Sequence, residues 1–218
     1  MLTVDIWSDV VCPFCYMGKR RFERALARFE HRDQVSVVWH SFQLDRDAHF
    51  QAGQTVHAYL AGRKGIPLAT SRRLHDRLVV EAAELGLEYN FDTALIANTF
   101  DAHRLTHLAK ERGLQAAVEE RLFAAYFTEG KNIEDRGVLA ELAAGAGIDP
   151  ADAASALATD RHADAVRADI DEARRFGADG VPFYVFNRRC AVSGAQPDGL
   201  FLEVLNRVWG ELTPAAAG

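Results

Sequence analysis

The sequence predicts a mixed α/β fold in which a small sheet is interrupted by a long helical block. Three observations carry this: a β-α-β pattern opens the chain, an Ala-rich stretch of helical periodicity fills about residues 55–176, and a β-β-α pattern closes it. In the opening, residues 3–7 (TVDIW) read as a strand that ends in the loop at 8–11. From Pro13 onward Phe14, Met17, Phe22, Ala25, Leu26 and Phe29 recur at near-helical spacing. Pro13 suits a first helical position, because the N–H it lacks would be unpaired there in any case. Residues 35–42 (VSVVWHSF) are β-branched and aromatic, a second strand expected to run parallel to the first through the helical crossover.

In the middle, helices are expected near 56–64, 71–85, 92–113, 115–128, 136–146, 151–158 and 161–176. Gly113 and Gly177 stand where helices should stop, and Asn132 and Asp149-Pro150 where they should start. After Gly177 two apolar runs, 183–186 and 190–192, flank Asn187-Arg188-Arg189 and read as an antiparallel hairpin. A two-residue turn at Asn187-Arg188 would pair Cys190 with Val185 near the turn and make it a small core residue. Pro197 then opens a last amphipathic helix carrying Leu200, Phe201, Val204, Leu205 and Val208, followed by a small-residue tail at 213–218.

Composition sets outer bounds. The 218 residues are 49% hydrophobic and 26% charged with a formal net charge of -6, which carries no electrostatic footprint for nucleic acid. No run approaches the roughly 18 apolar residues of a membrane helix. The N-terminus shows no basic and apolar regions of a secretory signal, so a cytoplasmic location is expected. Three cysteines do not make a disulfide framework, and in a reducing compartment a close pair points to catalysis or metal binding.

The pair is Cys12-Pro13-Phe14-Cys15, placed between the first strand and the first helix. Cysteines three apart in a helix's first turn can reach each other and form or break a disulfide. The unpaired N–H groups and partial positive charge of that terminus favour a thiolate on the leading cysteine. Cys12 is therefore the expected nucleophile, and Cys15, one turn in and more buried, the residue that resolves the mixed disulfide. Half of a zinc site is the competing reading, but no second CxxC or closely spaced Cys/His partner follows, so no metal is expected. Asp9 reads either as a cap or as a proton acceptor near the cysteines. Phe14 reads either as an apolar docking surface or as part of the helix's core stripe. His40 and Gln43 at the end of the second strand, and Asn98 and His103 on a predicted helix, are candidates to line the cleft over Cys12.

The chain resembles the DsbA family of thiol–disulfide oxidoreductases, most closely its cytosolic branch associated with polyketide biosynthesis and oxidative stress. The residues that carry this are Ser8–Lys19 around the CxxC, Ser41-Phe42-Gln43-Leu44, Asn98–Leu105, Tyr126–Gly130, Gly180–Phe183 and Val192–Gln196. The resemblance implies a thioredoxin-like fold with a large all-helical insertion. Residues 1–50 and 177–218 would form the thioredoxin-like domain and 51–176 the insertion, with the helix at 161–176 a candidate to pack on the core. It further implies a cis Val181-Pro182 peptide facing the CxxC, whose main chain pairs with an extended substrate. Pro13, Phe14, Val181 and Pro182 are then substrate-binding residues. Pro-Phe between the cysteines brings no imidazolium beside Cys12, unlike the Pro-His of strongly oxidising periplasmic relatives. A potential between roughly −120 and −270 mV is expected.

The activity expected is dithiol–disulfide exchange, with disulfide isomerisation as an extension. No cofactor is expected to be bound; glutathione is a candidate reductant or co-substrate. Expected partners are thiol- or disulfide-bearing proteins or small-molecule thiols, and a homodimer through the insertion. Two rivals stand beside it. A glutathione-dependent transferase or isomerase of the kappa or 2-hydroxychromene-2-carboxylate type carries serine where Cys12 stands and needs no second cysteine. A redox-sensing, chaperone-like binder would keep its clients without Cys12.

Overall fold

The computed structural model describes residues 1–212; the tail at 213–218 lies outside them. The chain opens with β1 (Leu2–Ser8), α1 (Pro13–Arg28) and β2 (Val35–Ser41). The helical block follows as α2 (Val56–Lys64), α3 (Leu68–Glu84), α4 (Phe100–Glu111), α5 (Gln115–Phe127), α6 (Arg136–Gly145), α7 (Pro150–Ala158) and α8 (Ala163–Arg175). It closes with β3 (Phe183–Phe186), β4 (Cys190–Ser193) and α9 (Asp198–Leu212). This is the mixed α/β, thioredoxin-like arrangement expected.

The four strands form one sheet in the order β2-β1-β3-β4. β1 and β2 are parallel from Leu2↔Val35 to Ser8↔Ser41, so both end at the same edge. β3 runs antiparallel to β1, and β4 to β3. Side chains alternate across the sheet, and each face has its own cover. Leu2, Val4, Ile6, Tyr184 and Phe186 pack on Phe22 and Phe29 of α1 and Phe201 and Leu205 of α9. Trp7, Phe183 and Val185 pack on the other side against Ala173 of α8. Covered on both faces, β3 reads as a continuous apolar run rather than an alternating one.

A further core is built by α4 to α7 around Leu105, Leu108, Leu122, Phe123, Leu139 and Leu142. Cys12, Cys15, Tyr16 and Met17, from the first turns of α1, belong to this core, while Phe22 and Phe29 further along α1 belong to the sheet's. The CxxC therefore sits where the helical block meets the sheet. Among the described residues no helix is long and apolar enough to cross a membrane.

Three local expectations are corrected. The helix expected from 92 begins only at Phe100. The segment before it is held by tertiary bonds: Asn98 donates its side-chain N–H to the Arg46 carbonyl at 2.8 Å, and its backbone N–H goes to Glu134 at 3.1 Å. Its Oδ1 accepts the Phe100 N–H at 3.0 Å, a local bond that competes with helix. Asn132 does not start α6; Asp135 does, accepting the N–H groups of Gly137 and Val138 at 2.8 and 3.0 Å. Cys190 pairs with Phe186 rather than Val185, because the hairpin loop takes three residues, with Asn187 and Arg188 at φ 50° and 56°. Other punctuation falls as expected. Asp149 caps α7 with Pro150 at its first position, and Gly113 and Gly177 follow α4 and α8 in the left-handed region.

Candidate active site

β1 delivers the chain to Ser8 and Asp9, and the CxxC is wound as the first turn of α1. Cys12 is the N-cap and Pro13 the first helical residue. The Cys12 N–H donates to the Asp9 carbonyl at 2.9 Å, and the Cys15 N–H to the Cys12 carbonyl at 3.0 Å. No acidic side chain stands in this first turn to compete for the positive end of the helix, which is left to the sulfur of Cys12. Both cysteines are free thiols, 3% and 1% exposed. Phe14, between them, is 46% exposed. It lies outside the helix's core stripe, so the core reading of Phe14 is corrected.

Opposite the CxxC lies the cis Val181-Pro182 peptide. The Cys12 thiol donates to the Val181 carbonyl at 3.5 Å. Gly18 permits this closeness: a Cβ there would stand 2.6 Å from the Tyr184 hydroxyl and 3.0 Å from the Pro182 ring. Burial, reinforced by contact with Cys12, holds the Cys15 thiol well above its ordinary pKa; the Asp9 main chain and the Ser8 hydroxyl oppose this. Cys15 is thus kept protonated while Cys12 occupies the helix terminus.

The helical block roofs the motif. Tyr89 donates its hydroxyl to the Pro13 carbonyl at 2.7 Å. Tyr16 stacks on Phe123 at 4.8 Å and donates to Glu120 at 2.7 Å. Beneath it lies a buried charged cluster. Asp9, 1% exposed, accepts the Leu44 N–H at 2.8 Å and meets Nε2 of His103 at 3.3 Å. The N-cap of α1 has no side-chain hydrogen bond, so the cap reading of Asp9 is corrected. Burial pushes the Glu119 carboxyl up to about 7, against the pull of His103 and Lys19. Sequence reasoning missed Glu119. Its signal was an acidic residue on the buried stripe Gln115, Val118, Glu119, Leu122.

Three of the candidate cleft residues stand elsewhere. His40 lies on the α8 side of the sheet, stacked on Trp7 at 4.5 Å. Its Nε2 bonds Asp5 at 2.9 Å and its Nδ1 bonds Asp169 at 2.8 Å. α1 covers the opposite face, so His40 does not line a cleft over Cys12. Gln43 and Asn98, 3.3 Å apart, line a cavity of about 500 Å³ with Arg46, Phe100, Arg136 and Arg167. Neither cysteine is among its lining residues. Asn98 lies in the loop before α4 rather than on a helix. The structure also gathers ligand atoms of His40, Asp169 and Glu172 within 4.8 Å of one another, a grouping without sequence spacing to announce it. His40 is committed to Asp5 and Asp169, and Glu172 to Arg188. Cys190 packs at the rim of the sheet's core and accepts from Arg207 at 2.8 Å.

A profile of the DSBA-like thioredoxin domain matches residues 3–206. The chain belongs to this family. A curated relative of the DSBA-like chain, the uncharacterized protein YwbO of Bacillus subtilis, is 32% identical over 168 residues, covering 75% of this chain and 76% of its own. The crystal structure of a probable DsbA oxidoreductase from Streptomyces coelicolor is 43% identical with a TM-score of 0.92. The match covers all of this chain and 94% of that one. The cytosolic disulfide reductase DsbM from Pseudomonas aeruginosa, solved with GSH, superposes with a TM-score of 0.65 at 22% identity. That match covers 95% of this chain and 99% of DsbM, and what is shared at that identity is the fold.

Proposed function

We propose that this DSBA-like protein is a thiol–disulfide oxidoreductase that cycles Cys12 and Cys15 between dithiol and disulfide. The observation that carries it is the placement of Cys12 as N-cap of α1, against the Val181 carbonyl, with Cys15 one turn behind and buried. In the reducing direction the Cys12 thiolate attacks a substrate disulfide, forming a Cys12–substrate bond and releasing one substrate thiolate, which takes up a proton. Cys15 then gives up its proton and attacks Cys12, releasing the second substrate thiol and closing the Cys12–Cys15 disulfide. Two electrons and two protons pass to the substrate; oxidation and isomerisation run the same steps from the other end. The exposed Phe14 and the main chain of Val181 and Pro182 receive the substrate. The sulfurs carry the redox chemistry without a bound cofactor. A small thiol such as glutathione returns the pair to the dithiol.

The test is to trap the intermediate. With Cys15→Ser, the protein should form a stable mixed disulfide through Cys12 with a disulfide-bearing protein such as insulin, released by dithiothreitol. Multiple turnover should be lost. Full turnover by Cys15→Ser would sink this proposal and favour a glutathione-dependent transferase. Client binding that survives Cys12→Ser with its protective effect intact would instead favour a chaperone-like binder.

A further inference from the structure

The contact between Asp9 and His103 spans 94 residues of sequence, and the exchange step does not by itself require it. Asp9 touches both cysteines through its main chain: its carbonyl holds the Cys12 N–H at 2.9 Å, and its backbone favours the thiolate of Cys15. Its carboxylate is tied elsewhere, to Leu44 beyond β2 at 2.8 Å and to His103 of α4 at 3.3 Å. Both side chains are 1% exposed. The charges of Glu119 on α5 and of Asp9 act on His103, those of His103, Lys19 and Asp9 act on Glu119, and that of Asp9 acts on Tyr126 of α5. Lys19 already serves Glu23 and Glu120 at 2.6 and 2.5 Å. Oε2 of Glu119 has no hydrogen-bond partner among the described atoms, and the main chain of Phe42 favours the charged ring of His103. A buried carboxylate is costly unless a positive charge or strong donors meet it, and the imidazole is the group placed to do so.

We propose that His103 is a positioning residue of the dithiol centre. Its ring fixes the Asp9 carboxylate, which sets the turn holding Cys12 and Cys15, and its charge favours the thiolate-bearing reduced state. This rests on the exchange chemistry proposed for the two cysteines. Without the ring, the Asp9 carboxylate keeps only the Leu44 N–H of these two ties, and the turn before Cys12 loses both its anchor and the imidazole's positive charge. The thiolate is then less favoured and the couple moves toward disulfide. Glutamine at 103 can offer an amide N–H to Asp9 but carries no charge and does not titrate, so it separates placement from electrostatics.

The experiment is the equilibrium of the dithiol with glutathione from pH 5.5 to 9.5, for the wild type, His103→Ala and His103→Gln, with folding checked by circular dichroism. His103→Ala should shift the equilibrium at least tenfold toward disulfide at pH 6.5, about 30 mV more negative for this two-electron couple. His103→Gln should fold with the wild-type circular-dichroism spectrum. Its ratio to wild type should nevertheless change at least tenfold across the series, because only the wild type carries the His103 proton, whereas the Glu119 carboxyl titrates in both. Both variants lying within twofold of wild type at every pH would overturn the inference. If His103→Ala does not fold, the glutamine variant decides: a ratio constant with pH overturns it. A wild-type pair that glutathione never oxidises defeats the exchange chemistry itself and this inference with it. That outcome is separable, since the variants then need not be compared.

Discussion

Replacing His40 with leucine probes the sheet's α8 face at its most charged point. The imidazole lies between Asp5 and Asp169, bonded to them at 2.9 and 2.8 Å, and stacks on Trp7. Burial alone would lower its pKa, but the hydrogen bonds and charges of Asp169 and Asp5 override burial and raise it from 6.5 to about 9. That difference corresponds to about 3 kcal/mol. The Asp169 pKa is depressed against its burial, first by the His107 hydrogen bond and then by His40; the His40 share is the same ion pair and is counted once. Because the folded pKa lies above the unfolded one, this stability is complete below pH 6.5 and is lost as pH rises through about 9. Leucine removes it, leaving Asp5 without the imidazole and Asp169 with His107 at 3.0 Å and the Ser41 N–H at 2.8 Å, so His40→Leu should cost about 3–5 kcal/mol at pH 6. At pH 9.5 the deficit should shrink by about 3 kcal/mol, since the wild type has by then lost the same charge. Urea unfolding followed by tryptophan fluorescence at the two pH values reads both quantities. A deficit below about 1 kcal/mol at pH 6, or one equal at both pH values, would refute the reasoning.

Three further outcomes follow from the packing and the motif. Gly18→Ala places a Cβ 2.6 Å from the Tyr184 hydroxyl and should cost about 1–3 kcal/mol; an unchanged thermal midpoint would contradict the close approach of α1 to Pro182. Phe14→His puts an imidazolium beside Cys12 and should move the couple toward dithiol at least tenfold in a glutathione equilibrium, whereas an unmoved equilibrium would show that the intervening dipeptide does not tune it. Arg104 is 3% exposed and bonds the Arg161 carbonyl at 2.9 Å and Asp101 at 2.6 Å. Arg104→Ala should therefore lower unfolding free energy by about 2–4 kcal/mol, and a loss under about 0.5 kcal/mol would show these bonds to be replaceable by water.

What could be seen beforehand was what local chemistry writes into sequence. The β-α-β opening, the Asp149-Pro150 cap and the position of the CxxC at the head of α1 follow from spacing and from the few residues that suit those places. The stretch before Phe100 misled because its apolar residues recur at helical spacing while Asn98 spends its hydrogen bonds on Arg46 and Phe100. Register at the hairpin slipped by one because the turn carries an extra residue, Arg189. The charged groups were the least legible. His40 and Asp169 are 129 residues apart, and Asp9 and His103 are 94 apart. Each residue alone looks like a cap or a cleft histidine, and only the fold makes them partners. Glu119 was visible as an acid in an apolar stripe, but nothing in spacing joins it to Asp9.

The most direct test of the central claim is to equilibrate the purified protein across a series of glutathione redox buffers, alkylate free thiols and measure the mass. A reversible loss of two protons confined to Cys12 and Cys15, with a midpoint between roughly −120 and −270 mV, is the expected result. A pair that stays reduced throughout, or a protein that carries only glutathione on Cys12, would contradict it.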